Sequence, residues 1–131
     1  MKFAITVFSP PYSPSSRRAL RFCEAALAGS HEIVRLFFYQ DGVYNASGAI
    51  VTSQDETNLG HEWTRFIESN SLDAVVCIAA ALKRGVLDET EARRYQRPGD
   101  GVVNVPWALS GLGQLHEAAQ QADRFIAFGG S

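Results

Sequence analysis

Cysteine is scarce in this chain: two of 131 residues, Cys23 and Cys77. Two thiols so far apart exclude a disulfide framework and a CxxC motif, and they predict a reducing compartment with both kept free. Excess charge of one sign is also lacking. Twelve basic residues against fourteen acidic ones leave a formal net charge of −2, without the basic surplus that direct nucleic-acid binding asks for or a polybasic stretch for a membrane surface. Long apolar runs are missing too. The longest, Ala74–Leu82, is far short of the ~18 residues of a membrane span. The opening MKFAITVFSPPYS breaks at two prolines before it reaches the roughly 7–15 apolar residues of a signal peptide. The expectation is a cytoplasmic protein, with any nucleic acid reached only through partners. No repeat, low-complexity tract or linker divides the chain, so a single domain over 1–131 is expected. Hydrophobic residues, at 46%, suffice for its core.

Several catalytic signatures are absent as well. There is no GxxxxGK[ST] phosphate loop, and Gly111 and Gly113 lack the third glycine and the preceding first strand of a dinucleotide fingerprint. Three His-Glu pairs (His31-Glu32, His61-Glu62, His116-Glu117) lack the second histidine of HExxH. Ser110, in ALSGLG, lacks the leading glycine of a nucleophile elbow. Histidine, cysteine and acidic residues show no metal-ligand clustering. These gaps argue against nucleotide enzymes, zinc hydrolases and serine hydrolases.

What is present is an alternation of short apolar runs with helical patterns, which predicts a parallel sheet covered by helices. Strands are expected at Phe3–Phe8, Glu32–Tyr39, Asp73–Ile78, Val102–Val105 (ended by Pro106) and Arg124–Phe128. Helices are expected after the Ser13-Pro14 start signal, over about Glu56–Asn70, over the AAALKRG stretch, from Asp88 for a turn or two, and over Ser110–Ala122. The fold class is α/β, a three-layer α/β/α sandwich with a five-stranded, mainly parallel sheet; its strand order is not readable. Trp107, Phe125 and Phe128, in or near loops and ends, hint at contact surface, and Gly129-Gly130-Ser131 reads as a frayed end.

Cys77 stands out chemically. It lies at the C-terminal end of a buried strand, where open α/β sheets place their crevice, and a helical stretch follows at once. Ile78, Ala79 and Ala80 would then offer backbone N–H groups to its sulfur, and the positive end of a helix favours thiolate over thiol. Such a thiolate can attack a persulfide and take its outer sulfur, and the small residues Ala79–Ala81 leave room for a partner's cysteine. A buried strand cysteine packing as a small hydrophobe is the competing reading. Cys23, on the apolar face of the first helix, is expected to be core.

Three segments, FFYQDGVYNA (Phe37–Ala46), CIAAALKRGVLDETEA (Cys77–Ala92) and LSGLGQLHEA (Leu109–Ala118), resemble the TusD branch of the DsrE-like sulfurtransferase family, in the right order and over the whole chain. The resemblance implies that Cys77 is the acceptor cysteine and that no cofactor or metal takes part. It implies a heterohexamer with TusB-like and TusC-like paralogous subunits, two copies of each. A TusA-like donor would supply sulfur, and a TusE-like acceptor would carry it on toward the 2-thio group of a wobble uridine in transfer RNA. Phe38, Tyr44 and Asn45, after the second strand, are expected to line the pocket, although Tyr44 and Asn45 could equally hold the loop. Ser110 and Gly111 would close the pocket. Lys83 and Arg84 are candidates for docking an acidic partner, against a plain reading as a solvated helix end. Two alternatives stay open: a subunit of a sulfur-oxidation complex using the same cysteine, and a scaffold subunit with an inert one.

Overall fold

A computed structural model describes residues 1–130. Strand β1 (Lys2–Val7) is buried at every position after Lys2, as a strand with both faces covered must be. Helix α1 (Pro14–Ala28) starts where the Ser13 side chain accepts the Ser15 N–H at 3.3 Å, with Pro14 in the first turn. It buries Ser16, Ala19, Leu20, Cys23 and Ala26 along one stripe. Strand β2 (Glu32–Phe38) runs into a 3₁₀ helix at Gln40–Ala46. Helix α2 (Leu59–Ser69) begins later than its hydrophobic pattern predicts, because Asn58 caps it by accepting the His61 N–H at 3.1 Å. Leu59, Trp63 and Ile67 are its buried stripe.

Strand β3 (Ala74–Cys77) is buried throughout and passes directly into α3 (Ile78–Lys83). Then come β4 (Leu87–Asp88), α4 (Glu89–Arg94), β5 (Gly101–Val103), β6 (Trp107–Ser110), α5 (Gly113–Gln121) and β7 (Arg124–Phe128). The five-stranded sheet has the order β6-β3-β2-β1-β7 and every neighbouring pair is parallel. The α/β class, the five parallel strands and the flanking helices agree with the sequence reading.

The fourth strand of the sheet does not. The Val102–Val105 run supplies β5, which pairs with β4 in a separate two-stranded sheet. The position beside β3 is taken by Trp107–Ser110, on the far side of Pro106. Both runs have strand-forming composition, and propensity says nothing about which partner a strand finds. The aromatic side chain settles the matter: the Trp107 ring meets Phe38 edge-on at 4.8 Å, and its Nε1–H donates to Thr64 Oγ1 at 3.0 Å. Trp107 is therefore core rather than contact surface, at 6% exposure. Phe125 is exposed and Phe128 half-buried. The last helix starts at Gly113, since Ser110 still belongs to β6.

Side chains alternate across a strand, and β2 shows which helices cover which face. Phe38 packs edge-to-face on Trp63 of α2 at 5.2 Å, and Trp63 donates to Ser16 of α1. Arg35, on the opposite face, donates to the Gln114 carbonyl of α5 at 2.8 Å. Thus α1 and α2 cover one face and α5 the other. No described helix is long and apolar enough to cross a membrane. At the end of the chain, Gly129 and Gly130 adopt φ of +83° and +92°, and a Cβ on Gly129 would lie 2.0 Å from Ser9 Oγ. A side chain at position 129 would therefore collide with Ser9, and Ser131 lies outside the described residues.

Candidate active site

Cys77 closes β3 and is the N-cap of α3, with extended backbone at φ −61° and ψ 116° and no capping hydrogen bond from its side chain. The first-turn N–H groups of a helix have no acceptor within it. Of the residues that carry them, Ile78 is half-buried, Ala79 exposed and Ala80 buried. In the sheet Cys77 pairs in register with Ser110, the last residue of β6.

That pairing places Cys77 at a special point of the topology. After β3 the chain enters α3, which packs with the 3₁₀ helix and, through it, on the side of α2; after β6 it enters α5 on the opposite face. Neighbouring strands whose following segments leave toward opposite faces open a crevice beyond their carboxyl ends, where open α/β sheets bind ligands. Ser110 is half-buried there and Gly111 is exposed, with open space where a Cβ would stand.

The thiol itself is covered, with Cys77 only 1% exposed. The 3₁₀ helix Gln40–Ala46 packs against both β3 and α3, the two elements that Cys77 joins. Its path is tightly specified. A Cβ on Gly42 would sit 2.0 Å from the Val7 carbonyl oxygen, so only glycine fits. The Asn45 amide donates to the Ser9 and Gly42 carbonyls at 2.9 and 2.8 Å, and its Oδ1 accepts from Ser16 Oγ at 2.8 Å. Ser16 in turn accepts from Trp63 Nε1 at 3.1 Å. Every polar atom of the Asn45 side chain is thus spent on holding the loop.

The other residues singled out in the sequence are dispersed around Cys77. Phe38 is fully buried between Trp63 and Trp107, in the core beneath the loop. Tyr44 is half-buried against the core. Lys83 is exposed on the last turn of α3. Arg84 faces inward on the molecule's own loop, its Nε donating to Asp41 Oδ1 at 2.8 Å and its Nη1 to the Ala80 carbonyl at 3.0 Å. Sequence reasoning missed Asp41 and Ser16. Asp41-Gly42 reads as a turn, and a pair 43 residues apart leaves no local signal.

A groove of about 840 Å³ lies elsewhere, between Tyr12–Arg21 and Ile50–Leu59, and Cys77 does not line it. Its Arg17 and Arg21 share Glu62 at 3.4 and 3.3 Å, so much of its positive charge is met within the chain. Size alone does not make it the reactive site, since it holds no thiol or other nucleophile of comparable strength.

Cys23 provides the internal contrast. Burial, with a smaller contribution from Glu24, pushes its thiol up to about 12 from 9.0. An acid whose folded pKa lies above its unfolded value stabilises the fold below the unfolded pKa, and that contribution is lost as pH rises toward the folded one. From about pH 9 to 12 stability should therefore fall by up to about 1.4 kcal/mol per pH unit on account of this thiol. Denaturation midpoints across that range, for the wild type and Cys23→Ala, check this: the substituted chain should start less stable but lose less.

The fold is an open parallel α/β sheet with a cysteine at the junction of its inner strand β3 and α3. The model of the DsrE/DsrF-like family matches residues 1–128, and the chain belongs to that family. It is 67% identical over 130 residues to a protein of Pseudomonas aeruginosa named sulfurtransferase TusD homolog, covering 99% of this chain and 98% of that one. It is 41% identical over 129 residues to sulfurtransferase TusD of an Enterobacter species, with 98% and 100% covered. It is also 44% identical over 130 residues to the Allochromatium vinosum protein that carries the DsrE name. In fold it matches the crystal structure of the ychN protein from E. coli, with a TM-score of 0.70 over 97% of both chains at 16% identity. These names place the chain among the sulfurtransferases.

Proposed function

We propose that this chain is the cysteine-bearing subunit of a sulfur relay. Cys77 attacks the outer sulfur of a persulfide on a TusA-like donor: a new S–S bond forms at Cys77, the donor's S–S bond breaks, and the donor leaves as a thiolate. A TusE-like acceptor thiolate then takes that outer sulfur, and Cys77 leaves in turn as a thiolate. No net oxidation occurs in either step. The first-turn N–H groups of α3 stabilise the sulfur anion, and exposed Ala79 and Gly111 leave the rim open to the incoming cysteine. The observation that carries this reading is the position of Cys77, at the switch point and the start of α3, in a family of sulfurtransferases.

The setting extends the reading. TusB-like and TusC-like subunits complete a heterohexamer in the cytoplasm, and the sulfur ends in 2-thiouridine of transfer RNA, which this subunit itself never touches. The 67% identity to the protein named sulfurtransferase TusD homolog supports this route.

The test loads the purified chain, with its partner subunits, from a cysteine desulfurase, cysteine and the TusA-like carrier. Peptide mass spectra without reductant should then show one added sulfur on Cys77, removable by reductant and by the TusE-like acceptor. If Cys77 stays unmodified while the carrier persulfide is present, the chain is a scaffold subunit and the relay assignment fails.

A further inference from the structure

Strand alternation decides what stands beside the Cys77 sulfur. Arg35 faces α5, donating to the Gln114 carbonyl, so Phe37, two residues further along β2, shares that face. Phe37 pairs with Val75, and the β3–β6 ladder then pairs Val75 with Ala108 and Cys77 with Ser110. Laterally paired residues of a parallel ladder project from the same face. The Cys77 and Ser110 side chains therefore stand next to each other on the α5 side, on strands about 4.8 Å apart. They form the last pair of the ladder, and β6 is an edge strand of the sheet. Cys77 is buried and Ser110 half-buried, while Ala108 and Gly111 along the same edge are exposed. Ser110 thus stands between the sulfur and solvent. Its hydroxyl is also uncommitted. The Ser16 hydroxyl donates to Asn45 Oδ1 and the Thr64 hydroxyl to the Gly60 carbonyl. That of Ser110 makes no hydrogen bond among the described residues, to Cys77 or to any other group.

We propose that Ser110 is a second catalytic residue of the relay, whose hydroxyl donates a hydrogen bond to the outer sulfur of the Cys77 persulfide. That sulfur stands about 2 Å beyond Sγ, which brings it toward a neighbour that does not touch the thiol itself. In the persulfide anion the charge sits on this outer atom, where a hydrogen bond gains strength from it. The acceptor thiolate that attacks the same atom is an anion too. A donor there both holds the product of loading and lessens the repulsion during hand-off. The proton stays on the serine throughout, and the bonds formed and broken are the S–S bonds already described. The inference rests on the relay reading and deepens it, giving the transferred sulfur a partner of its own.

The test loads the chain, with its partner subunits, from inorganic polysulfide. Cys77 attacks a terminal sulfur: an S–S bond forms at Cys77, the terminal S–S bond breaks, and the shortened polysulfide leaves with the electron pair. Peptide mass spectra without reductant give the fraction of Cys77 that carries one added sulfur. Loss of a hydrogen bond to a charged group, partly open to water, predicts that Ser110→Ala needs about tenfold more polysulfide for half-loading. Ser110→Thr, which keeps the hydroxyl, should recover most of that loss. Alkylation of the unloaded Cys77 thiol by iodoacetamide should be unchanged in Ser110→Ala, since the hydroxyl makes no bond to the thiol. Unchanged loading of Ser110→Ala overturns the proposal, as does a loss that Ser110→Thr shares in full. A loss matched by slower alkylation overturns it as well, because Ser110 would then act on access to the thiol. If wild-type Cys77 is alkylated but takes no sulfur from polysulfide, the relay reading itself fails, and this inference with it.

Discussion

Cys77→Ser is expected to abolish sulfur transfer while leaving the fold standing. A hydroxyl at this position cannot accept sulfur as a persulfide, so the rate of hand-off should fall about 10³-fold or more, to the uncatalysed background. Two opposing terms decide stability. Burying a hydroxyl in place of a thiol costs about 1–3 kcal/mol when it finds no partner. Position 77, however, is the N-cap of α3 and carries no capping bond in the native chain. Serine there can accept from a first-turn N–H, and a good cap is worth about 1 kcal/mol. The terms nearly cancel, so the melting temperature should move by no more than about 5 °C. Cys77→Ala has no cap to offer and should be the less stable of the two. Labelled-sulfur transfer and thermal denaturation on both variants separate the effects. Transfer surviving in a folded Cys77→Ser protein would make the cysteine inert and the chain a scaffold.

That Cys77 could be singled out from sequence follows from how the chain writes its buried elements. A four-residue all-apolar strand followed without a break by small helix-forming residues leaves few places where a cysteine can be, and one of them is the strand-to-helix junction. The two long helices were equally legible, because Ser13-Pro14 and the Leu59, Trp63, Ile67 spacing are local signals. The exchange of Val102–Val105 for Trp107–Ser110 shows the boundary of such reading. Both segments are short and apolar, and the choice between them depends on Phe38 and Thr64, contributed by distant parts of the chain.

The surroundings of Cys77 were legible as a neighbourhood and not as a set of roles. Tyr44 and Asn45 do lie in the loop beside α3, as their order after β2 implies, whereas Phe38 is the last residue of β2 and belongs to the core rather than to the loop. Which of them faces a ligand depends on partners that no spacing encodes: Asn45 is consumed by Ser9, Gly42 and Ser16, and Phe38 by two tryptophans. Arg84 illustrates the same point from the other side. Its place near the end of α3 suggested a partner's acidic group, and the acidic group it meets is Asp41 of the same chain.

Asn45 carries the second large effect. Its side chain joins four separate pieces of backbone and core: the end of β1 through Ser9, the turn at Gly42, α1 through Ser16, and α2 through the Ser16–Trp63 bond. All of it is shielded from water, with Asn45 at 1% exposure and Ser16 and Trp63 at 0%. Asn45→Ala takes a donor from the Ser9 and Gly42 carbonyls and the acceptor from the Ser16 hydroxyl proton, which keeps only its bond from Trp63, and a buried polar group left unpaired costs about 1–3 kcal/mol. The total should come to about 3 kcal/mol or more, allowing for partial relaxation. Asn45→Asp is nearly the same shape yet should be worse at neutral pH. Its carboxylate keeps the bond from Ser16 but points lone pairs at the Ser9 and Gly42 carbonyls, and it buries a charge with no cation beside it. Denaturant unfolding should therefore rank the chains wild type, Asn45→Ala, Asn45→Asp in falling stability. Equal stability for Asn45→Ala and wild type would show that the amide network is dispensable and that the loop is held by the packing of Val43 and Ala46 alone.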